Sequence, residues 1–398
     1  LMSLKLRQLF FLSLFLTSCL AEMRFFPHRY KQIYDEHSSP PDTFLRRLEQ
    51  DDLNRQNENR LNSPRISMRL RGDTELGYYY ITLFFGTPLQ RQTLIVDTGS
   101  SVTAIPCGEC DCGPNHFDYS FDTRSSDTFQ DIACYEQIGE YTCSDCNGKC
   151  YFHSGYAEGS AYNGNYKKDF VMFGDEAEKY YEIMRKQYLQ GDSISENKDL
   201  ESRRAEQLEL EQLIQQRKVM MPFGCISKET KLFYDQEADG IMGLGTRTNV
   251  RSNPPNLLDV FEMSNQNHSK AFSLCFAQTG GYLTVGGFNT EHHNKEEKVQ
   301  YVPYAHEANQ YRVYLKDITV EGESFGLAPS ILNKRSGVFF DSGTTFTHVP
   351  SATLKAFKSG FYKFCEKDSK NCGASAPLNK DRLCWRYDAE RFPTLTEF

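Results

Sequence analysis

The sequence LIVDTGSSVTAIP, from Leu94 to Pro106, has a counterpart in GVFFDSGTTFTHVP, from Gly337 to Pro350. In each segment an apolar run leads into an Asp, which is followed by a small hydroxyl residue, a Gly and a second small hydroxyl residue. An Asp that directly follows a buried strand costs on the order of several kcal/mol unless its carboxylate is hydrogen-bonded. We therefore predict that the two segments bring Asp97 and Asp341 together. Two carboxylates at one site cannot both ionise readily, so they would share a proton.

The two tetrapeptides, Asp-Thr-Gly-Ser at 97–100 and Asp-Ser-Gly-Thr at 341–344, resemble the two active-site loops of the pepsin-like aspartic proteases. A single copy is equally typical of a strand end with an Asx turn, whereas two copies in the order of the family are far more specific. The resemblance implies an all-β, bilobal fold in which each lobe supplies one Asp. It also implies an aspartic endopeptidase that needs no cofactor and no metal, since a water molecule held between the carboxylates attacks the peptide bond.

By resemblance, the neighbours of each Asp support it. The second hydroxyl residue hydrogen-bonds the outer carboxylate oxygen, the first one braces the loop, and the Gly permits the tight turn. In chain order these supporting residues are Thr98, Gly99, Ser100, Ser342, Gly343 and Thr344.

Composition narrows the remaining possibilities. The chain of 398 residues is long enough for roughly two or three domains. A net charge of −8 and the lack of a basic cluster argue against nucleic acid as a partner, and the sequence has no glycine-rich phosphate loop. We expect a monomer that acts on protein or peptide substrates.

The first 21 residues have the pattern of a signal peptide, with Lys5 and Arg7 before an apolar run at 9–16 and small residues near Ala21. A buried core helix is the alternative. Removal of this segment takes Cys19 with it and leaves 12 of the 13 cysteines in an oxidising compartment, where disulfides are expected. We therefore predict a protein of the secretory pathway, located in the endoplasmic reticulum, the Golgi, a vacuole or outside the cell.

Residues 22–72 are rich in Arg, Asn, Glu and Gln and have few apolar positions, so this segment cannot bury a core of its own. By resemblance it occupies the place of the family's prosegment, whose positive charges could cover an acidic cleft. A disordered spacer is the alternative interpretation.

The predicted N-terminal catalytic lobe, residues 73–250, opens with the β-rich segment GYYYITLFFGTP at 77–88, which ends in a Gly-Thr-Pro turn. The lobe closes with Ile241, Met242 and Gly243, which match the apolar strand that passes beside the catalytic loop in this family. A Gly is needed there because another backbone lies close.

Seven cysteines are clustered in an insertion at 107–150, and an eighth follows in the same lobe. An even number in a secreted chain predicts disulfides, but the CxxCxC and CxxC spacings make a zinc site the alternative. The insertion resembles the cysteine-rich branch of the family that includes the plant nepenthesins and plasmepsin V. The pairing stays open. The candidates are Cys107, Cys110, Cys112, Cys134, Cys143, Cys146, Cys150 and Cys225.

The sequence FHSGYAEGSAYNGNY at 152–166 predicts a glycine-rich hairpin. Its YAEGS resembles the flap of the family, with Tyr156 as the flap tyrosine, and an ordinary surface hairpin is the alternative. Pepsin-like proteases usually place a Trp shortly after the first Asp loop to hydrogen-bond this tyrosine. Here that region is Ala-Ile-Pro at 104–106, and the only Trp is Trp385. Other residues must therefore position the flap.

Glu158 follows two residues after Tyr156. If YAEGS is an extended strand, both side chains point to the cleft, because strand residues alternate with period two. A carboxylate there predicts selection of Arg or Lys upstream of the cleaved bond, a preference that the resemblance to plasmepsin V also implies. This chain has Ala157 where plasmepsin V has Cys, which leaves the neighbouring subsite open. A solvent-facing Glu at the flap tip is the alternative.

Residues 176–218 interrupt the β pattern with a charged run in which Leu210, Leu213 and Ile214 share one helical face. This pattern predicts a solvated helical insertion, and a partner-binding helix is the alternative.

The predicted C-terminal catalytic lobe, residues 251–398, contains two strands joined at a Gly-Gly turn within 271–288 and a further strand at 311–320. Asn267 is the one glycosylation candidate. Only 398 − 341 = 57 residues follow Asp341, without a second apolar-apolar-Gly strand. We therefore expect a truncated lobe, and a membrane anchor, which is common in this branch, would lie beyond Phe398.

The carboxylate pair should hydrolyse peptides best at acidic pH, because one of its members must stay protonated. The alternative from another class is a catalytically inactive binding or inhibitor-like protein on the same scaffold. Such proteins typically lose an Asp or its hydroxyl neighbour, whereas both motifs are intact here.

Overall fold

The computed structural model describes most of the chain between residues 65 and 367, with shorter segments on either side. The described residues are 3–5, 21–25, 65–144, 149–190, 208, 210–212, 218–247, 251, 253–264, 270–288, 302, 304, 310–320, 323–334, 337–367, 374–379 and 384–387. The predicted glycosylation candidate Asn267, the cysteine Cys146 and most of the expected signal peptide and prosegment lie outside them.

Strands dominate the described residues, which confirms the all-β class. They are β1 Ser3–Lys5, β2 Ala21–Phe25, β3 Ile66–Asp73, β4 Tyr78–Phe85, β5 Gln90–Asp97, β6 Thr103–Asp111, β7 Gln130–Asp131, β8 Gln137–Ile138, β9 Tyr141–Thr142, β10 Tyr151–Gly155, β11 Ala161–Met172, β12 Val219–Thr230, β13 Gly240–Gly243, β14 Phe272–Phe276, β15 Thr279–Val285, β16 Tyr311–Val313, β17 Asp317–Val320, β18 Glu323–Ser324, β19 Val338–Phe340, β20 Ala374–Asn379 and β21 Cys384–Tyr387.

The helices are few. They are α1 Asp175–Gln190, α2 Leu232–Asp235, α3 Leu257–Ser264, α4 Pro329–Leu332 and α5 Ser351–Lys367, with one 3₁₀ turn at Thr123–Ser125. Among the described residues, no helix combines the length and the apolar character that crossing a membrane requires.

One large mixed sheet carries the first Asp loop. Its strands follow the order β10-β11-β12-β6-β13-β5-β4-β3-β15-β14-β2, and β7 pairs with β11. Every residue of β5 from Gln92 to Asp97 is buried, as expected for a central strand covered on both faces. Strand β13 lies parallel to β5 and antiparallel to β6, so Gly243 is paired with Asp97.

Aromatic side chains fill two clusters of this lobe. In one cluster, the ring of Phe85 lies 5.1 Å from that of Phe223 and 6.2 Å from that of Phe121. The other cluster contains Phe152 and Tyr162, whose ring centroids are 5.9 Å apart, and supports the hairpin β10–β11. Burying one such side chain contributes about 1.5 to 3 kcal/mol, so these rings fix the base of that hairpin.

Strand β3 moves the start of the lobe toward the N-terminus. Ile66, Met68 and Leu70 point into the core and are buried, and β3 pairs with both β15 and β4. Residues 66–72, which the sequence placed before the lobe, therefore form a strand of the same sheet as β4. The polar composition of 22–72 concealed an alternation of apolar and polar residues over its last seven positions, which is the pattern of a half-buried strand.

The helical insertion expected at 176–218 is described in part, as α1 and the helical residues 210–212. Leu210 is buried in a cluster with Phe84, so this position packs on the lobe and is not solvated. Leu213 and Ile214, which the sequence places on the same face, lie outside the described residues.

The second half of the chain contributes to the large sheet and to smaller ones. Strands β14 and β15 form the hairpin expected at 271–288, but the expected Gly-Gly turn is wrong. The chain reverses at 277–278, and both glycines belong to β15, where Gly281 is paired with Phe276. The strand expected at 311–320 is divided into β16 and β17 instead. The side-chain amide of Asn333 donates to the backbone oxygen of Leu315 at 2.7 Å and accepts its N–H at 2.8 Å. Because a side chain satisfies these backbone groups, the strand ladder stops there.

Disulfides account for most of the cysteine cluster. The described pairs are Cys107–Cys225, Cys110–Cys112 and Cys143–Cys150, and Cys134 is disulfide-bonded as well. The prediction of disulfides is confirmed for these residues. Their sulfur atoms cannot serve as thiolate ligands of the alternative zinc site while they are oxidised.

Candidate active site

The two Asp loops meet face to face. Asp97 is the last residue of β5, and Asp341 directly follows β19. A β-carbon added to Gly99 would lie 2.4 Å from Oδ2 of Asp341, and one added to Gly343 would lie 2.6 Å from Oδ1 of Asp97. Each glycine therefore leaves the space into which the opposite carboxylate fits. The structure thus brings together two Asp residues that are 341 − 97 = 244 positions apart.

Each loop holds its own carboxylate in the same way. Oδ1 accepts the N–H of the glycine two residues later, at 2.7 Å for Asp97 and 2.9 Å for Asp341. Oδ2 accepts the hydroxyl three residues later, which belongs to Ser100 in the first loop and to Thr344, at 2.8 Å, in the second. The orientation of both carboxylates is therefore fixed by hydrogen bonds from their own loops.

The hydroxyl residues that directly follow each Asp link the two loops. The N–H of Thr98 donates to Oγ of Ser342 at 3.1 Å, and the N–H of Ser342 donates to Oγ1 of Thr98 at 2.9 Å. Each hydroxyl then donates to a backbone oxygen of the other half, from Thr98 to Phe340 at 3.1 Å and from Ser342 to Val96 at 2.6 Å. The link is symmetrical, and it ties the strands that end at the two carboxylates.

Strand β13 supports the first loop from behind. The N–H of Leu244 donates to the backbone oxygen of Asp97 at 2.7 Å. A β-carbon on Gly243 would lie 2.8 Å from the backbone oxygen of Ser100. A side chain at this position would therefore push the strand away from the loop.

The environment of Asp97 favours its protonated form. The residue is only 2% exposed. Burial and the nearby charge of Asp341 raise the pKa of Asp97 to about 7, against the opposing effect of its hydrogen bonds from Ser100 and Gly99. Because the two carboxyls interact, this pKa describes the pair, which retains one shared proton up to near-neutral pH.

Tyr156 lies at the end of the hairpin formed by β10 and β11. Its N–H donates to the backbone oxygen of Ser160 at 2.9 Å and closes the turn. Burial raises the pKa of Tyr156 well above its ordinary value, and the charges of Tyr162 and Asp97 add to this effect while a hydrogen bond with Ser100 opposes it. The tyrosine is therefore close enough to the dyad to sense its charge.

Two residues that the sequence did not single out hold this tyrosine. The hydroxyl of Tyr156 lies 3.3 Å from that of Tyr162, and its ring centroid lies 5.0 Å from that of Phe233. Tyr162 and Phe233 also contact each other, at 5.0 Å between ring centroids. For Tyr162, the only signal in the sequence is that the segment YAEGSAY contains a second tyrosine. Nothing in the sequence indicates a role for Phe233, which lies 233 − 156 = 77 residues after Tyr156.

Glu158 does not lie on an extended strand. β10 ends at Gly155 and β11 begins at Ala161, so Glu158 is an exposed residue of the turn between them. The expectation of strand alternation between Tyr156 and Glu158 is therefore wrong. Gly159, with a φ of 91°, provides the left-handed conformation that reverses the chain at this point.

The pepsin-like aspartic proteases are defined by two Asp loops that hydrogen-bond each other. They also have an apolar strand such as β13 behind the first loop and a hairpin above that loop. Residues 79–184 match the family model described as "Xylanase inhibitor N-terminal", and residues 213–372 match the one described as "Eukaryotic aspartyl protease". The chain belongs to the pepsin-like aspartic protease family.

Three curated relatives illustrate the match. Aspartic protease 5 of Toxoplasma gondii is 33% identical over 229 residues, which are 53% of this chain and 20% of the relative. Plasmepsin V of Plasmodium falciparum is 28% identical over 235 residues, 58% of this chain and 33% of the relative. Nepenthesin-1 of Nepenthes gracilis is 31% identical over 102 residues, 25% of this chain and 23% of the relative. The matched residues thus cover a third or less of each relative. Two of these relatives, plasmepsin V and nepenthesin-1, belong to the cysteine-rich branch that the cysteine cluster resembles.

Proposed function

We propose that this chain carries the catalytic dyad of an aspartic endopeptidase that hydrolyses protein or peptide substrates. The observation that supports the proposal most directly is the approach of Asp97 and Asp341 across a symmetrical link, with a pKa of Asp97 raised to about 7. A buried carboxyl that stays protonated beside a second carboxyl supplies an acid and a base at one point.

The reaction needs no covalent intermediate. A water molecule held between the two carboxyls loses a proton to the ionised one as it attacks the scissile carbonyl carbon, while the protonated one donates its proton to the carbonyl oxygen. The tetrahedral intermediate then collapses as the carboxyl that took the proton of the water passes it to the leaving nitrogen, while a hydroxyl of the intermediate returns its proton to the other carboxyl. Burial favours Asp97 as the carboxyl that holds the shared proton in the free protein. The flap residue Tyr156 closes over the substrate and excludes water.

The same features support an acidic, secretory setting. Activity falls as pH rises through about 7, because the pair then loses the proton that the mechanism requires. The signal-peptide pattern at 1–21 and the described disulfides both agree with passage through an oxidising compartment.

The test of the proposal compares the full chain with Asp97→Asn and Asp341→Asn on a mixture of peptides at acidic pH. Each substitution keeps the shape of the side chain but removes its proton chemistry, so each should lower kcat/KM by at least about 10³-fold, or about 4 kcal/mol of barrier. Asp131→Asn, at an exposed position of β7, is the matched control. Wild-type rates in either dyad variant would contradict the assignment.

A catalytically inactive binding protein is the second candidate, because residues 79–184 match a model described as "Xylanase inhibitor N-terminal". In this case a purified chain would bind a protein target but cleave no peptide at any pH. The intact hydrogen bonds of both carboxylates favour the enzyme, since a binding protein has no need of a buried acid at this place.

We further propose that Glu158 selects a basic residue upstream of the cleaved bond. Its carboxylate is exposed on the turn that follows Tyr156, so it can reach a substrate under the flap without belonging to a strand face. An exposed ion pair contributes only about 0.2 to 1 kcal/mol. Once the flap and the peptide exclude water, a charged hydrogen bond contributes about 1.5 to 3 kcal/mol, which is enough for selection.

The specificity test measures kcat/KM for matched peptides with Arg or Ala at the upstream position. The wild type should prefer Arg by roughly 10-fold or more, and Glu158→Gln should lose most of this preference while cleaving the Ala peptide normally. Glu140→Gln, an exposed residue of the cysteine-rich insertion, is the control. Equal discrimination by wild type and Glu158→Gln would rule out this residue as the selector.

A further inference from the structure

His116 and Glu229 form a buried pair beside the flap hairpin, and the dyad chemistry does not use them. Nε2 of His116 lies 2.9 Å from Oε2 of Glu229, and the two side chains are 8% and 0% exposed. Nδ1 of His116 lies 3.1 Å from the backbone oxygen of Ala238. Both ring nitrogens therefore face oxygen atoms that accept hydrogen bonds.

This geometry requires an extra proton. A neutral imidazole carries one N–H, so it can donate either to the backbone oxygen of Ala238 or to the carboxylate of Glu229. In either tautomer the other ring nitrogen points a lone pair at an oxygen that can only accept. A second proton removes the conflict, whether it belongs to the imidazole or to the carboxyl. In either form the pair holds one proton more than a neutral histidine beside an ionised glutamate.

Other charges near the pair do not replace this proton. Among the described residues, Oε1 of Glu229 has no hydrogen-bond partner, and Oε2 also accepts a long hydrogen bond of 3.4 Å from the N–H of Gly113. Lys228, on the same strand, forms an exposed ion pair with Asp111 at 3.2 Å. His116 is therefore the group that neutralises the buried Glu229.

Besides Glu229, the nearby carboxylate of Asp239 favours the protonated state of His116. Asp239 accepts hydrogen bonds from Thr93 at 2.6 and 2.7 Å. The other carboxylate oxygen of Asp239 accepts the backbone N–H of Asp118. The carboxylate of Asp118 in turn forms an ion pair with Arg91 at 2.8 Å. Burial lowers the pKa of His116, but the hydrogen bond and charge of Glu229, with a smaller effect of Asp239, outweigh burial and leave the pKa above its ordinary value.

The His116–Glu229 pair connects the chain segments that contain Tyr162 and Phe233, the residues that contact Tyr156. Glu229 is paired on the sheet with Tyr162, and Phe233 follows four residues later in α2. On the other side, the loop of His116 runs along the segment that leads from α2 to β13, with the N–H of Phe117 donating to the backbone oxygen of Glu237 at 2.8 Å. The contact is tight, since a β-carbon on Gly113 would lie 1.7 Å from the backbone oxygen of Tyr234.

We propose that His116 and Glu229 are a positioning pair, which holds Phe233 and Tyr162 against the flap Tyr156 while it retains its proton and releases them when a rise in pH removes that proton. The direction follows from linkage. A histidine whose pKa is raised by folding stabilises the fold fully below its unfolded value of about 6.5, and this stabilisation is lost as pH rises through the folded value. The flap therefore loses its support as pH rises through the folded pKa of the pair, by a route that is independent of the dyad. The proposal rests on the proposed peptidase function only for its effect on catalysis.

The first test uses hydrogen exchange on the full chain carrying Asp97→Asn, so that the dyad cannot contribute to the pH dependence. Exchange in 156–162 and 230–236 is followed from about pH 5.5, below the ordinary histidine value of about 6.5, up to about pH 9, after correction for the intrinsic rate. Protection should fall as pH rises, by up to a factor of ten for each unit by which the measured pKa of His116 exceeds about 6.5. Unchanged protection in both segments would overturn the proposal.

The matched variants separate the effect of the proton from the effect of side-chain packing. In Glu229→Gln the amide N–H can donate to neutral Nε2, so protection should become independent of pH. Lys228→Gln, which breaks the neighbouring exposed pair, should keep the wild-type pH dependence. If the glutamine variant does not fold, the NMR titration of His116 in the parent chain decides the question. A pKa above 6.5 is expected, and a value below it would overturn the proposal.

Activity then distinguishes the two proposals. In the chain with an intact dyad, Glu229→Gln should retain more of its acidic kcat/KM at near-neutral pH than the wild type does. A chain that cleaves no peptide but shows pH-dependent exchange would refute the proposed function and leave the positioning pair standing. A chain that cleaves peptides with exchange independent of pH would refute the pair alone.

Discussion

At the scale of single residues, the proton of the dyad links chemistry to stability. Asp97 is held in a place where its charged form is unfavourable, because burial and Asp341 both raise its pKa. In the unfolded chain the same carboxyl has a pKa of about 3.9. The folded protein therefore binds more protons than the unfolded chain between about pH 4 and pH 7, and its stability declines with rising pH over this range.

This linkage predicts that Asp97→Asn stabilises the fold at neutral pH. Asparagine keeps the shape of the side chain and has no charge to bury, so the variant should exceed the wild type by about 2 to 4 kcal/mol near pH 7 and by little near pH 4. Chemical unfolding at both pH values measures the difference. A variant that is less stable than the wild type by the same amount at both values would contradict the raised pKa.

The residues of the dyad could be predicted from the sequence because their pattern is local. An apolar run, an Asp and a hydroxyl-Gly-hydroxyl sequence occupy consecutive positions, and the family resemblance supplies their meaning. Tyr162 and Phe233 could not be predicted in the same way, since their role depends on a contact between distant segments. Glu158 was misplaced because the turn closes directly after Tyr156, where the sequence suggested that the strand continues.

At the scale of elements, the flap hairpin depends on the aromatic contacts beneath it. Tyr162 is almost completely buried, and burial raises its pKa to about 12, against the hydrogen bonds that it makes with Tyr156 and Ser154. We propose that its hydroxyl and the ring of Phe233, which both contact Tyr156, replace the Trp that usually follows the first Asp loop.

We predict that Tyr162→Phe weakens catalysis more than folding. The substitution keeps the ring but removes the hydroxyl that lies 3.3 Å from the hydroxyl of Tyr156. The loss of one hydrogen bond corresponds to about 0.5 to 1.5 kcal/mol, so kcat/KM should fall by roughly 3- to 10-fold. The assay is the peptide cleavage described above. Tyr151→Phe, at an exposed position of β10, is the control and should behave as wild type. Equal rates for Tyr162→Phe and wild type would show that the hydroxyl has no role.

Other elements show where periodicity is a reliable guide and where it fails. The hairpin of β14 and β15 was predictable from its two apolar runs, although the glycines that marked the expected turn lie inside β15. Strand β3 was missed because charged residues alternate with its apolar ones inside a polar segment. The interruption between β16 and β17 has no sequence pattern at all, since it depends on Asn333, which approaches from 333 − 315 = 18 residues away.

At the scale of the whole molecule, the two halves of the chain are joined where the chemistry is proposed. Thr98 and Ser342 exchange four hydrogen bonds with each other and with the neighbouring strands. Such a link explains why the catalytic geometry does not depend on one lobe alone, because a shift of either half would break hydrogen bonds on both sides. It also makes the two residues energetically dependent on each other.

A double-mutant cycle measures this dependence. Thr98→Val and Ser342→Ala each leave buried polar partners unsatisfied, which costs about 1 to 3 kcal/mol. Because the residues bond each other, the double variant should be more stable than the sum of the single effects by about 0.5 to 3 kcal/mol, measured by chemical unfolding. Thr98→Val combined with Ser125→Ala, which does not share the link, should be additive within about 0.5 kcal/mol. Additivity in the first cycle would mean that the halves are not coupled at the dyad, and the two carboxyls would then need another cause for their approach.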